Sequence, residues 1–294
     1  MENILELHQV SKTYPKSDFT LDSLSLSLPY GAILGFVGEN GSGKTTTIDC
    51  ILNTVRKDSG TVRLFGREMG DEDTDIREKI GVVYDGDNFP GFWTATHLSR
   101  VMAGLYAQWD DALFHKYLEE FRLPPRQKIR SYSRGMTMKL ALAAALSHHP
   151  QLLILDEATS GLDPIMRDDM LDVFLEFVQE ESHSIFLSSH ITSDLDKIAD
   201  YIAFLHMGKL IMTVSRNDLA YKYGVMRCRE SQFSALHPED MIAYRKRDFQ
   251  IDVLVSDVEA ARNKYRDAVI DHVSVDEVML LLVKGTVCKE FLRL

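Results

Sequence analysis

Residues 38–47 read GENGSGKTTT, and their types and spacing suit the holding of phosphate. Gly38, Gly41 and Gly43 let the backbone turn left-handed and bring successive N–H groups against phosphate oxygens. A helix starting at the end of the stretch adds the partial positive charge of its N-terminus. Lys44 can reach the β- and γ-phosphates of a nucleotide, and the Thr45 hydroxyl can ligate Mg2+. A second group lies in LLILDEATSGLDP, residues 152–164, where four apolar residues run into Asp156 and Glu157. A strand there delivers Asp156 to the Mg2+ shell, directly or through water. Glu157, one residue on, can accept a proton from an attacking water.

Such groups act together only if strands and helices bring them to one place. LSLSL, residues 24–28, alternates apolar and polar as a half-buried strand does. GAILGFVG, residues 31–38, is a continuous apolar run, which suits a strand buried on both faces. LLILD and SIFLSSH, ending at Asp156 and His190, read the same way. Between them a helical pattern begins near Pro164. Buried strands alternating with helices predict an α/β fold, a phosphate-loop core around a mainly parallel sheet. After about Gly208 the character changes. VMRCR and FQIDVLVS predict short strands, while Ser256-x-x-Glu259 and Ser274-x-x-Glu277 have the spacing of helix capping boxes, with Gly285 at the second helix's end. Residues 1–214 are therefore expected to form the domain that carries the phosphate loop and residues 215–294 a small α+β appendage.

Composition narrows the class. The 294 residues are 45% apolar, with 33 basic and 44 acidic side chains and a net charge of −11. That balance argues against nucleic acid as a partner, since non-specific binding to it needs a basic surface. Cys50, Cys228 and Cys288 are far apart and odd in number, which gives neither metal-ligand spacing nor a disulfide framework and points to a reducing cytoplasm. The beginning, MENILELHQV, has early acids and no apolar core, unlike a signal peptide. No stretch approaches the ~18 apolar residues of a membrane helix; LALAAALS from Leu140 is far too short.

A phosphate loop alone fits a GTPase, a small-molecule kinase, a motor or a transporter ATPase. The guanine-reading Asn-Lys-x-Asp is missing, because NKYR at Asn263 ends in arginine. The order of motifs is more specific. From about residue 3 to 215 the chain resembles the nucleotide-binding subunits of ABC transporters. GENGSGKT looks like Walker A, LLILDE like Walker B, and SGLDP like the D-loop with Asp163. YSRGM, residues 132–136, stands where the family's Leu-Ser-Gly-Gly-Gln signature falls, His190 stands at the switch histidine, and Tyr14 fits the aromatic that stacks on adenine. The resemblance implies that Gly38, Asn40, Gly41, Ser42, Gly43, Lys44, Thr45 and Thr46 bind ATP, with Mg2+ as cofactor. It also implies that ATP lies between two such domains, a homodimer or paralogues, with Ser133 and Gly135 reaching the phosphate across the interface. A fold with a small antiparallel β subdomain and a helical insert at about residues 85–131 goes with it.

Two departures stand out. The signature carries Tyr132, Arg134 and Met136 in place of leucine, glycine and glutamine, which is similar to the branch of bacitracin-resistance and lantibiotic-immunity ATPases. VVYDGDNFPGFW, residues 82–93, has Asp85 where the family's Q-loop glutamine contacts Mg2+ and water. A calcium loop is excluded there: counted from Asp85, the sixth position is Pro90 rather than glycine. Asp85 is therefore a candidate Mg2+ ligand at the hinge between chemistry and transport. The insert's aromatics, Phe92, Trp93, Tyr106 and Trp109, form either a landing surface for a membrane partner or the insert's own core. The resemblance implies an ATPase that powers export of a peptide, antimicrobial or lipid-like substrate through a separate permease, peripheral on the inner face of the membrane. An ABC-type ATPase uncoupled from transport is the alternative.

Overall fold

The computed structural model describes residues 2–15, 18–70, 73–86 and 88–288. In chain order, β1 (Asn3–Thr13) and β2 (Thr20–Pro29) pair antiparallel and lead to β3 (Ile33–Gly38) and α1 (Lys44–Ile51). β4 (Ser59–Leu64), β5 (Arg67–Glu68), α2 (Thr74–Arg77) and β6 (Ile80–Val83) follow. Next come α3 (Ala95–Leu105), α4 (Asp111–Glu120) and α5 (Arg134–Leu146). The pattern then alternates: β7 (Leu152–Asp156), α6 (Pro164–Phe177), β8 (Ser184–Ser189), α7 (Thr192–Ile198), β9 (Tyr201–His206) and β10 (Lys209–Ser215).

Three sheets result. β2-β1-β4-β5 is antiparallel, and β10-β9-β3-β8-β7-β6 is parallel except for β10 at its edge. All six residues of β3 are buried. Their side chains part by the two-residue period of a strand: Leu34 and Phe36 join the core against the antiparallel sheet and α1, while Ile33 and Val37 face α5 and α6. β7 divides likewise, Leu152 and Ile154 from Leu153 and Leu155. Each such side chain removed from water contributes about 1.5–3 kcal/mol, so a sheet apolar on both faces fixes the central layer and the ends of its strands.

The apolar run in α5 has a simple use. Met138, Ala141, Leu142 and Ala145 face the sheet, whereas Leu140, Ala143 and Ala144 face α3 and α4. A helix hydrophobic all round is one buried on both sides. Among the described residues, no helix is long and apolar enough to cross a membrane.

Past Ser215 lie α8 (Arg216–Tyr221), β11 (Gly224–Cys228), α9 (Glu230–Phe233), β12 (Ala243–Lys246), β13 (Ile251–Val255), α10 (Val258–Lys264), β14 (Val269–His272), α11 (Val275–Lys284) and β15 (Thr286–Val287). Their strands form an antiparallel sheet, β14-β11-β13-β12-β15. The capping box at Ser274 forms with Glu277. The one expected at Ser256 does not: Asp257 caps α10 by accepting from Ala260 N. A carboxylate one residue nearer the helix satisfies that donor instead. Val275, Val278 and Leu281 of α11 join the same apolar cluster as Ile198 and Met212. The backbone N–H of Val275 donates to Asp196 of α7 at 3.2 Å.

Candidate active site

The loop from β3 to α1 turns on Gly41 (φ +80°) and Gly43 (φ +113°). Gly43 is the N-cap of α1 and no side chain caps the helix, so its first N–H groups face the loop. A side chain at Gly43 would come within 2.6 Å of the Phe19 ring, so the glycine is needed for space as well as conformation. Lys44 is buried, and its Nζ donates to the carbonyls of Gly38 (2.7 Å) and Glu39 (3.2 Å).

The ends of β7 and β8 are in register, Asp156 beside Ser188. Asp156 accepts from Thr45 Oγ1 at 2.9 Å and from Ser188 Oγ at 2.5 Å. Glu157 N donates to the Ser188 carbonyl (3.1 Å) and lies 3.3 Å from its hydroxyl. Glu157 itself has φ +52°, a left-handed conformation costing a non-glycine residue about 1–3 kcal/mol. Its Oε1 is 3.2 Å from Lys44 Nζ and its Oε2 is 2.5 Å from His190 Nδ1. The His190 turn is held by Ser189, whose hydroxyl accepts from Ile191 N at 2.9 Å.

A cleft of about 570 Å³ opens over these groups, lined by Tyr14, Phe19, Asn40, Gly41, Gly43, Lys44, Thr45, Thr46, Asp85, Asp156 and Glu157. A larger one, about 740 Å³, lies among side chains of the antiparallel sheet, including Asn3, Glu6 and His8. Only the smaller cleft combines a helix N-terminus, a buried lysine and paired acids, and those convergent polar groups mark a site better than volume does. Burial, aided by the Asp49 and Asp156 carboxylates, pushes the Tyr84 hydroxyl above its ordinary range.

The donor set fits a nucleotide triphosphate with Mg2+. Ser42 Oγ is buried without a hydrogen-bond partner, as befits a group shaped for something else. Thr45 Oγ1 and the Asp156 carboxylate offer two hard oxygens. Among the described residues, no group of three or more acidic, histidine or cysteine side chains could hold a metal by itself. Mg2+ takes one or two protein oxygens and completes its shell with phosphate and water.

The remaining candidates are distributed differently. Tyr14 is half-buried on the cleft wall, with Lys12 Nζ 5.6 Å from its ring centre. Ser133 lies outside this cleft, exposed at the N-cap of α5, where its hydroxyl accepts from Met136 N. Gly135 is buried, and a side chain there would overlap Met166 of α6. Asp163 caps α6, accepting from Ile165 and Met166 N–H groups. Asp85 borders the cleft, but its Oδ1 sits 2.6 Å from Arg134 Nη2; Asp87, two residues on, is outside the described residues. In the insert, Tyr106 stacks on His148 at 4.1 Å and Trp109 packs on the core around Phe114, whereas Phe92 is 69% exposed. The aromatics are thus mostly the insert's own core.

Ser188 and Phe19 are the residues that motif spacing did not single out. The signal for Ser188 is in the sequence: two serines closing an apolar strand, one of them two positions before His190. Phe19 has no such signal, because only the fold brings it over Gly43.

Comparison with known proteins points the same way. A family model described as ABC transporter matches residues 21–160. The chain is 33% identical to the bacitracin transport ATP-binding protein BcrA of Bacillus licheniformis over 213 residues, covering 72% of this chain and 69% of that one. It is 29% identical over 261 residues to the linearmycin resistance ATP-binding protein LnrL of Bacillus subtilis (strain 168), covering 87% and 83%. Among solved structures, an ATP-binding subunit of an ABC transporter matches with a TM-score of 0.66 at 25% identity, covering 74% of this chain and 91% of that one. A dimeric ATP-binding cassette in a post-hydrolysis state with ADP and Pi matches in fold, with a TM-score of 0.65 at 20% identity over 72% and 98%.

Proposed function

The chain belongs to the ATP-binding subunits of the ABC transporter family, and from that premise we propose that it hydrolyses ATP to drive export through a separate membrane-spanning permease. The observation that carries the reading is the cluster Lys44–Glu157–His190 beside Thr45–Asp156–Ser188, at the ends of β3, β7 and β8.

In this reading the α1 N-terminus, the loop glycines and Lys44 hold the phosphates, with Asn40 and Thr46 lining the same cleft and Ser42 buried in the loop beneath them. Thr45 and Asp156 hold Mg2+, which when bound neutralises charge on the β- and γ-phosphates. Glu157 Oε2 takes the proton of the attacking water. His190 donates from Nδ1 to Glu157, and its Nε2 can meet the γ-phosphate only as a second N–H donor, with both ring nitrogens protonated. Ser188 orients both acids, one by its side chain and the other through the backbone. The Tyr14 ring carries the adenine.

Ser133 and the α5 N-terminus point to a second ATPase subunit, because they are exposed yet outside their own chain's cleft. They would complete the partner's nucleotide site, with Asp163 shaping the same interface from the start of α6. The likeness to proteins of bacitracin transport and linearmycin resistance supports an antimicrobial, peptide or lipid-like substrate. Phe92 at 69% and Leu105 at 67% exposure are the apolar groups of the insert left for the permease. The chain would then lie on the inner face of the membrane. Glu157→Gln tests the reading: phosphate release should collapse while ATP binding persists, and turnover near that of the unaltered protein would sink it.

A further inference from the structure

Asp85 and Arg134 are each badly placed alone. Arg134 is the first residue of α5, and no acid lies in that helix's first turn. A cation there opposes the positive end of the helix. Asp85 puts a carboxylate into the wall of a cleft built to attract phosphate. Together, the two side chains meet at 2.6 Å.

Fold stability does not account for the pair. Arg134 and Asp85 are 52% and 43% exposed, and ion pairs so exposed contribute little. Yet Arg134 also packs against a third segment. It lies over Gly161 (φ +71°), where a side chain would come within 3.0–3.2 Å of the guanidinium. The guanidinium therefore joins the loop after β6, the start of α5 and the turn after Walker B.

We propose that Arg134 is a positioning residue for nucleotide binding: it neutralises Asp85, so that this carboxylate stands beside the phosphates without repelling them. The α5 N-terminus, turned toward a partner subunit, thereby sets the charge in the wall of its own chain's cleft. A chain that withdrew Arg134 toward a neighbouring nucleotide would weaken its own hold on ATP, which links the two sites through one guanidinium. The inference rests on reading the cleft as an ATP site.

The test is a charge rescue in the full chain, read as the Kd of a fluorescent ATP analogue with Mg2+ and as the KM for MgATP. Arg134→Gln should raise both roughly 3- to 10-fold, the size of one unscreened charge nearby, and high salt should shrink the loss. Arg134→Gln combined with Asp85→Asn should return to within about two-fold of the unaltered protein, because the repelling charge is then gone. Thermal melting without nucleotide should stay level across the set. Unchanged affinity in Arg134→Gln, or a double variant as weak as that single one, overturns the proposal. Should Arg134→Gln melt early, Arg134→Lys keeps the charge and should bind normally; weakened binding there overturns it as well. An unaltered protein that binds no nucleotide overturns the reading of the cleft itself, whereas tight binding without rescue overturns only the pair.

Discussion

His190 Nδ1 lies 2.5 Å from Glu157 Oε2 while Lys44 Nζ lies 3.2 Å from Oε1 of the same carboxylate. One side chain is thus held from both sides, by Lys44, which also lines the cleft, and by His190. With φ at +52°, Glu157 is clamped in a conformation that its own backbone resists.

Phosphate release should therefore fall about 10²–10⁴-fold in Glu157→Gln. His190→Ala should fall comparably, and the double variant should be little worse than either, because the two act as a unit. Multiplied losses in the double variant would separate them.

Ser188 bonds Asp156 and the Glu157 backbone without lining the cleft. Ser188→Ala should cost about 10- to 100-fold in activity or Mg2+ affinity, the usual range for groups that orient metal ligands. A Mg2+ titration of turnover should show the midpoint moving up; an unmoved midpoint with normal turnover would make Ser188 a packing residue only.

Gly135→Ala should change the stability read from urea midpoints by less than about 1 kcal/mol: the added methyl meets the Met166 sulfur, far out on a flexible side chain that can swing aside, and alanine favours a helix more than glycine does. A larger loss would mean that Met166 is pinned between α5 and α6.

Burial pushes the His148 imidazole below its ordinary pKa of 6.5, against the pull of the Ile80 and Ala144 carbonyls. The folded chain then holds fewer protons here than the unfolded one at mildly acidic pH. The stability involved is present above about 6.5 and lost as pH falls through the depressed value. Urea midpoints should drop from pH 7.5 to 5.5, and less so in His148→Gln, which is weaker at neutral pH because the Tyr106 stack is gone.

The central sheet was legible because parallel strands buried on two faces read as unbroken apolar runs, as in Ile33–Gly38 and Leu152–Asp156. Strand ends followed by Gly, Asp-Glu and His also told where the site's groups would gather. The Asp85–Arg134 pair was not legible, since the two residues are 49 apart in sequence and charge alone does not say which partner a carboxylate takes. Aromatic content likewise cannot separate Phe92, left outside, from Trp109, folded under. That distinction depends on how α3 and α4 close over α5.

The apolar cluster shared by α7, β10 and α11 bears on how such a chain could be shortened. A fragment ending at Ser215 would keep every motif and still lose the cover over Ile198 and Met212, both buried. The helix that follows His190 would lose its anchor from Asp196 to Val275. Such a fragment should come out sticky and slack rather than merely smaller. A lineage that discards the appendage would have to repaint that face with polar residues before the engine could run alone.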